Sequence, residues 1–486
     1  MLRTRSIWPL ILLPVFFILH GYTEFYPIIP LLDSLELLAL YLLAGFTIAL
    51  LSWLLFKSWP KAYQFAFLAL AINFFFGAVQ DSLLHNLPGS WINKYSILLS
   101  IVLILLVAFG IFLKKERGSN PKTISFVCLV FITLILFDLG TKFISEKSLI
   151  KSKSTIEFRQ NIKIPKDSLP DIHLIIADEY PGRLTFEQYL NHFNDSFLTE
   201  LKSRGFYVAD QASSNYNFTE FSTASLLNMD YLKKIEGRDV SLHHLGYCFE
   251  TIKGSPFIHY LKSMGYDFNN HSIFDFLGHP SPVIPTLLPG RTKPISEQTL
   301  ISRIRKDIGY HFYTDLPWMS DWFDLAGSNL RNNNKIYRLT TEKASNTHLS
   351  PTFTYTHLLM PHTPYYYKSN GEIRPRPEWG RRDDQALLEY VQYANQQLIK
   401  LVDSIRLKST RPVAILLIGD HGLRTYSKPV SQINYFNTLV SVLLPNKKYD
   451  RFYPTISHVN LLRTTVNSIF NEQLPLLKDS TIFLRE

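Results

Sequence analysis

The chain has 486 residues, 46% of them apolar, and a formal charge of +10. Its basic residues are scattered and form no stripe, which argues against nucleic acid as a partner. Two cysteines, Cys128 and Cys248, exclude a disulfide framework, because Cys128 falls inside an apolar run.

Apolarity is concentrated in the first 145 residues, where five runs lie at about 7–22, 34–56, 62–80, 95–113 and 123–144. Most approach or exceed the ~20 residues that cross a bilayer core. Arg3 and Arg5 ahead of the first run would suit a signal peptide, but no small-residue cleavage site follows, so it reads as a span. Basic residues mark alternate connections: Arg3 and Arg5, then Lys57 and Lys61, then Lys114, Lys115, Arg117 and Lys122. The connections around 24–33 and 81–94 carry almost none. The positive-inside rule then sets the amino terminus in the cytoplasm of an inner-membrane protein, and everything after the fifth span outside. Residues 146–167, polar and basic with interspersed isoleucines, read as a linker or an interfacial helix.

From residue 168 the pattern changes. His173–Asp178 is an apolar strand ending in an acid. Asn194-Asp195 is placed to cap a helix that Gly205 stops, and Thr354–Met360 reads as another strand. A long amphipathic helix is predicted from about Asp384 to Leu407, buried through Leu387, Val391, Ala394, Leu398 and Val402. Ala414–Gly419 is an apolar run that ends in Asp420-His421-Gly422, and Leu439–Leu444 reads as one more strand. Strands alternating with long helices predict an α/β domain over 168–486, its mostly parallel sheet covered on both faces. The proline-rich stretch Pro280–Pro294 reads as a surface loop near the site.

Ligands of such sheets bind at the carboxyl ends of the strands. Four polar clusters belong there: Asp178-Glu179; Ser213–Met229, with Thr219, Ser222 and Ser225; His357 with Pro361-His362-Thr363-Pro364-Tyr365; and Asp420-His421, followed by Arg424. Carboxylates beside an imidazole suit a divalent cation. A hydroxyl is a poor nucleophile at neutral pH unless a metal or a helix N-terminus lowers its pKa. Thr219 stands at a loop-to-helix junction and reads either as that nucleophile or as an ordinary N-cap, with Ser222 as second choice. Arg424 reads as an anion contact or a surface ion pair.

In combination these segments resemble the alkaline-phosphatase/sulfatase superfamily, in its membrane-anchored sulfatase-like branch, which includes lipoteichoic acid synthases and lipid A phosphoethanolamine transferases. The resemblance implies metal ligation by Asp178, Thr219, Asp420 and His421, with Glu179 a weaker candidate. It implies Thr219 as nucleophile, His362 as catalytic acid and base, and His357, His362, Ser222 and Arg424 against the substrate. The implied cofactor is one divalent metal, zinc or manganese ahead of magnesium or calcium. The implied reaction moves a phospho-head-group from a phospholipid to an envelope glycan or lipid through a phospho-threonine. Hydrolysis of a phosphoric ester, or less readily of a sulfuric ester, is the first alternative, and a non-catalytic membrane scaffold the second. No Cys/Ser-x-Pro-x-Arg surrounds Thr219, which speaks against sulfate-ester hydrolysis.

Overall fold

A computed structural model describes the chain except residues 1–5, 26–27, 117–120, 147–155, 159–167, 191–193, 234, 236–238, 284–291, 310–324, 344–349, 425–427 and 486. It divides into two compact units, residues 1–150 with 285–325, and residues 151–284 with 326–486.

The first unit is built on five helices long and apolar enough to cross a membrane: α1 (Trp8–Phe25), α2 (Leu31–Phe56), α3 (Trp59–Asn86), α4 (Tyr95–Lys115) and α5 (Pro121–Glu146). Each coincides with a predicted run, because ~20 apolar residues at 1.5 Å rise match the hydrocarbon thickness. Leu10, Leu13, Tyr41, Leu70 and Phe74 form its core, and most other apolar side chains point outward, as lipid-facing residues do. Residues 285–325, assigned by sequence to the catalytic domain, group with these helices. Of the proline-rich stretch expected beside the site, residues 284–291 lie outside the described residues. Lys293–Ser296 form a turn of helix in the first unit. Most of the expected linker at 146–167 also lies outside the described residues.

Among its described residues the second unit holds six strands: β1 (Asp171–Ala177), β2 (Tyr207–Val208), β3 (Asp267–His271), β4 (Thr352–Leu358), β5 (Val413–Gly419) and β6 (Val440–Leu443). Their order is β2-β6-β5-β1-β4-β3. Strands β3, β4, β1 and β5 run parallel, and β6 alone is reversed, antiparallel to both its neighbours β5 and β2, so the sheet is mostly parallel. Strand β1 is buried along its whole length between β4 and β5, which explains its apolar run.

Five helices matter most for the site or its support: α6 (Asp195–Ser203), α7 (Thr219–Asn228), α8 (Leu242–Lys253), α9 (Asp384–Lys408) and α10 (His458–Phe470). Helix α9 starts where predicted, with the Asp383 carboxylate accepting from the Ala386 N–H at 2.9 Å. Helix α6 is also present, but Asn194 makes no side-chain cap. Its amide donates to the Tyr180 hydroxyl and accepts from Asn395, so it ties α6 to α9 instead. Two apolar layers, one on each face of the sheet, close the domain.

Candidate active site

Sheet register brings the predicted acids together. Ala177 pairs with Gly419 across β1 and β5, so the next residues, Asp178 and Asp420, leave the sheet side by side. Ala177 also pairs with Leu358, which sets His357 one level below on the other flank of β1. The ligand atoms of Asp178, His357 and Asp420 all lie within 4.8 Å of one another. All three residues are buried.

Hydrogen bonds aim these groups. Asp420 Oδ1 accepts the backbone N–H of Glu179 at 2.8 Å and of His421 at 2.9 Å. Its Oδ2, with Asp178 Oδ1 and His357 Nε2, has no hydrogen-bond partner among the described residues. Three buried orphans facing one another would cost several kcal/mol. A cation resolves that cost at one stroke, and the donor set of two carboxylates and an imidazole suits a divalent one. The residues therefore fit the expected metal.

His421 Nδ1 donates to the Gly422 carbonyl at 2.8 Å, which fixes the tautomer and leaves Nε2 with a lone pair. That nitrogen is 3.4 Å from Asp420 Oδ2 and 3.3 Å from the Thr219 hydroxyl. Thr219 is the first residue of α7; the N-cap position is Phe218, and Thr219 makes no cap. Its hydroxyl is half-buried and faces the cluster. A helix N-terminus favours an alkoxide and bound anions.

The other predicted residues take distinct places. Ser222 is fully buried: it donates to the Asp420 carbonyl oxygen and pairs with His458 Nδ1 at 3.2 Å. It thus props the Asp420-His421 turn from below. Glu179, in the left-handed region at φ 55°, accepts from the Arg424 backbone N–H at 2.6 Å and stands 3.5 Å from His362 Nε2. Its carboxylate is not one of the three that group around the orphans. The Arg424 guanidinium stacks 4.1 Å above the Phe218 ring, one residue from Thr219. His357, which the family pattern assigned to substrate, instead joins the two aspartates, its Nδ1 paired with the Tyr355 hydroxyl at 3.2 Å.

Electrostatics follow from burial and neighbours. Burial pushes the Asp420 carboxyl up, and the adjacent Asp178 charge adds to that. Burial also acts on Asp178, but His362, His357 and His421 outweigh it and hold its carboxyl far below the usual range. For His362, burial works against the charged form, yet Asp178 and Glu179 prevail and raise its pKa.

The glycines flanking Asp420-His421 have a steric reason. A Cβ on Gly419 would meet Thr438 Oγ1 at 2.2 Å, and one on Gly422 would meet the Asn434 carbonyl oxygen at 2.1 Å. Gly422→Ala should therefore displace the turn and cost about 1–3 kcal/mol. Thermal melting beside bound-metal content would check it, and a variant that matches the wild type in both would refute the packing argument.

His458 lies under the site, against Ser222. Burial pushes it down to about 3, with His421 adding; burial likewise pushes His271 down to about 4, with Lys343 adding. Both stay neutral in the folded chain while the unfolded chain protonates near 6.5. Their contribution is complete above that value and lost as pH falls, by about 1–1.5 kcal/mol each at pH 5.5. His458→Asn, which keeps a donor near Ser222, should shrink the fall in melting temperature between pH 7 and 5.5. An unchanged slope would show that His458 titrates normally.

No protein-family model matches the sequence, and no curated protein does. Some solved structures align with part of it. The C-terminal periplasmic domain of EcEptC from Escherichia coli aligns at 12% identity and TM-score 0.37, covering 65% of this chain and 85% of that one. The corresponding domain of phosphoethanolamine transferase EptC from Campylobacter jejuni aligns at 13% and 0.35, covering 63% and 91%. A 2-O GAG sulfatase aligns at 13% and 0.38, covering 64% and 73%. Likeness of that size says nothing of the reaction, which must be argued from the site.

Proposed function

We propose that the chain is a membrane-anchored, metal-dependent phosphotransferase of the alkaline-phosphatase/sulfatase superfamily. It would take a phospho-head-group from a phospholipid and pass it to an envelope glycan or lipid, on the non-cytoplasmic side of the membrane. One observation carries the reading: at a helix N-terminus the hydroxyl of Thr219 meets His421 Nε2, which stands 3.4 Å from Asp420 Oδ2 in a buried cluster whose facing carboxylate and imidazole atoms lack hydrogen-bond partners among the described residues.

Asp178, Asp420 and His357 would hold the ion, and His421 Nε2, 3.4 Å from Asp420 Oδ2, would keep its lone pair for the proton of the nucleophile. A divalent metal, zinc or manganese, would lower the pKa of the nucleophile and offset charge on the phosphoryl group. Thr219 Oγ1 attacks phosphorus while its proton leaves toward His421 Nε2, 3.3 Å away. The Oγ1–P bond forms as the bond from phosphorus to the diacylglycerol oxygen breaks. His362, whose pKa Asp178 and Glu179 raise, supplies a proton to that oxygen. In the second half the acceptor hydroxyl attacks phosphothreonine, its proton returns to His362, and Thr219 recovers its own. Arg424, above Phe218, would contact the anionic group.

Purified protein in detergent should release diacylglycerol from fluorescent phosphatidylethanolamine or phosphatidylglycerol, and intact mass should show a head-group adduct on Thr219. Adduct decay in water alone would make the protein a hydrolase. Absence of bound metal and of any adduct would favour a scaffold.

A further inference from the structure

The helices of the first unit carry polar residues at the ends of α1–α4 away from the amino terminus. Asn73 and Gln80 are buried there, although a bilayer offers such groups no partners. Asn73 finds its partner more than two hundred residues downstream, and Gln80 is reached through Tyr95. The Ile301 N–H donates to Asn73 Oδ1 at 3.3 Å. Arg303 forks onto Asp81, with N–O distances of 2.9 and 2.6 Å, and the Tyr95 hydroxyl meets both Gln80 and the Asp307 carboxylate.

The apolar fit is as specific as the polar one. Ile295 is 3% exposed and packs in the same core as Leu13, Tyr22 and Phe74. It fills a notch at Gly21, where a Cβ would sit 2.8 Å from Ile295 Cγ1. A second notch at Gly77 admits the Gln298 backbone: the Gly77 N–H donates to the Gln298 carbonyl at 2.8 Å, and a Cβ would strike that oxygen at 2.5 Å. Two glycine notches, one fork, the buried Asn73 amide and the Tyr95 hydroxyl all receive one short stretch, which ends in the helix Leu300–Asp307 capped by Thr299.

That stretch lies between β3 and β4 in sequence, so the chain passes between its two units three times, after residues 150, 284 and 325. We propose that residues 293–307 are a docking strap, for which the ends of α1–α4 are the receptor, and that turnover of a bilayer-held donor depends on its being seated. The physical reason is effective concentration: each added attachment confines the catalytic part to the neighbourhood of the spans without any new contact to substrate. The catalytic half of this statement rests on the proposed phosphotransferase activity; the docking half does not.

Two measurements keep these halves apart. In full-length protein carrying Cys128→Ala and Cys248→Ala, the pair Gly21→Cys and Ile295→Cys should form a disulfide on mild oxidation, seen as one cross-linked tryptic species. Failure to cross-link overturns the strap, whatever the protein's activity. Asp81→Arg and Arg303→Asp should each lower the cross-link yield and slow diacylglycerol release from liposomes about tenfold. Hydrolysis of p-nitrophenyl phosphate by the same samples should stay within about twofold. The double exchange should restore both the cross-link and the liposome rate. Equal losses on both substrates, or an unaffected liposome rate, would overturn the strap's role in turnover. Wild-type protein inert toward both esters would instead overturn the phosphotransferase reading and leave the cross-link to judge the strap.

Discussion

Thr219→Ala should lower head-group release by at least about a thousandfold while the protein still binds metal and melts near the wild-type temperature. The expectation follows from its position. Thr219 begins α7 without capping it and directs its hydroxyl to the His421 Nε2 lone pair, so alanine removes the attacking atom and little packing. Thr219→Ser keeps the hydroxyl and should retain measurable turnover and the phosphorylated adduct. Ser222→Ala should behave differently: its hydroxyl is buried under the Asp420 carbonyl, so its loss should show first in stability and metal affinity. If Thr219→Ala turned over at the wild-type rate, or the adduct mapped to Ser222, the proposed nucleophile would be wrong.

Asp420→Asn should weaken metal binding at least about a hundredfold. The amide oxygen can still accept the Glu179 and His421 N–H groups that hold Oδ1. Its NH2 then occupies the place of Oδ2 and points a donor into a site that needs a lone pair. Metal-free protein should be no less stable for the change, because Asp178 and Asp420 repel each other when both are charged. The sign of the melting shift thus separates ligation from mere structure. Wild-type protein should gain about 2.7 kcal/mol at metal concentrations one hundred times its dissociation constant, and the variant almost nothing. Elemental analysis of both proteins gives the stoichiometry directly. Equal metal content in the two would remove Asp420 from the ligand set.

Family pattern and site geometry diverge most usefully at His357. It lies inside a buried strand, and its meeting with Asp178 depends on the β1–β4 register, a pairing between segments about 180 residues apart. Nothing local in Thr354–Met360 announces that level. Strand β3, with the sequence Asp267-Phe268-Asn269-Asn270-His271, was illegible for another reason. As an edge strand it tolerates polar side chains and shows no apolar run.

Local pattern determined a good deal. Five apolar runs are long enough to make five helices whatever follows them, since bilayer thickness sets their length. Strands β1, β4 and β5 and helix α9 were legible because full or one-sided burial leaves a continuous or a 3.6-periodic apolar trace. Asp178, Thr219 and Asp420-His421 were legible as clusters because strand ends and a helix start put them where ligands bind. Tertiary structure alone decided how those clusters combine. Parallel register set Asp178 and Asp420 side by side and brought in His357. Hydrogen bonds turned Asp420 Oδ1 outward and His421 Nε2 inward, and they sank Ser222 beneath the turn. The same holds for residues 293–307, polar by composition yet seated among the spans, because their partners are notches at Gly21 and Gly77 and polar groups of Asn73, Asp81 and Tyr95, spread over three other helices. Such choices belong to contacts distant in sequence, and no local pattern records them.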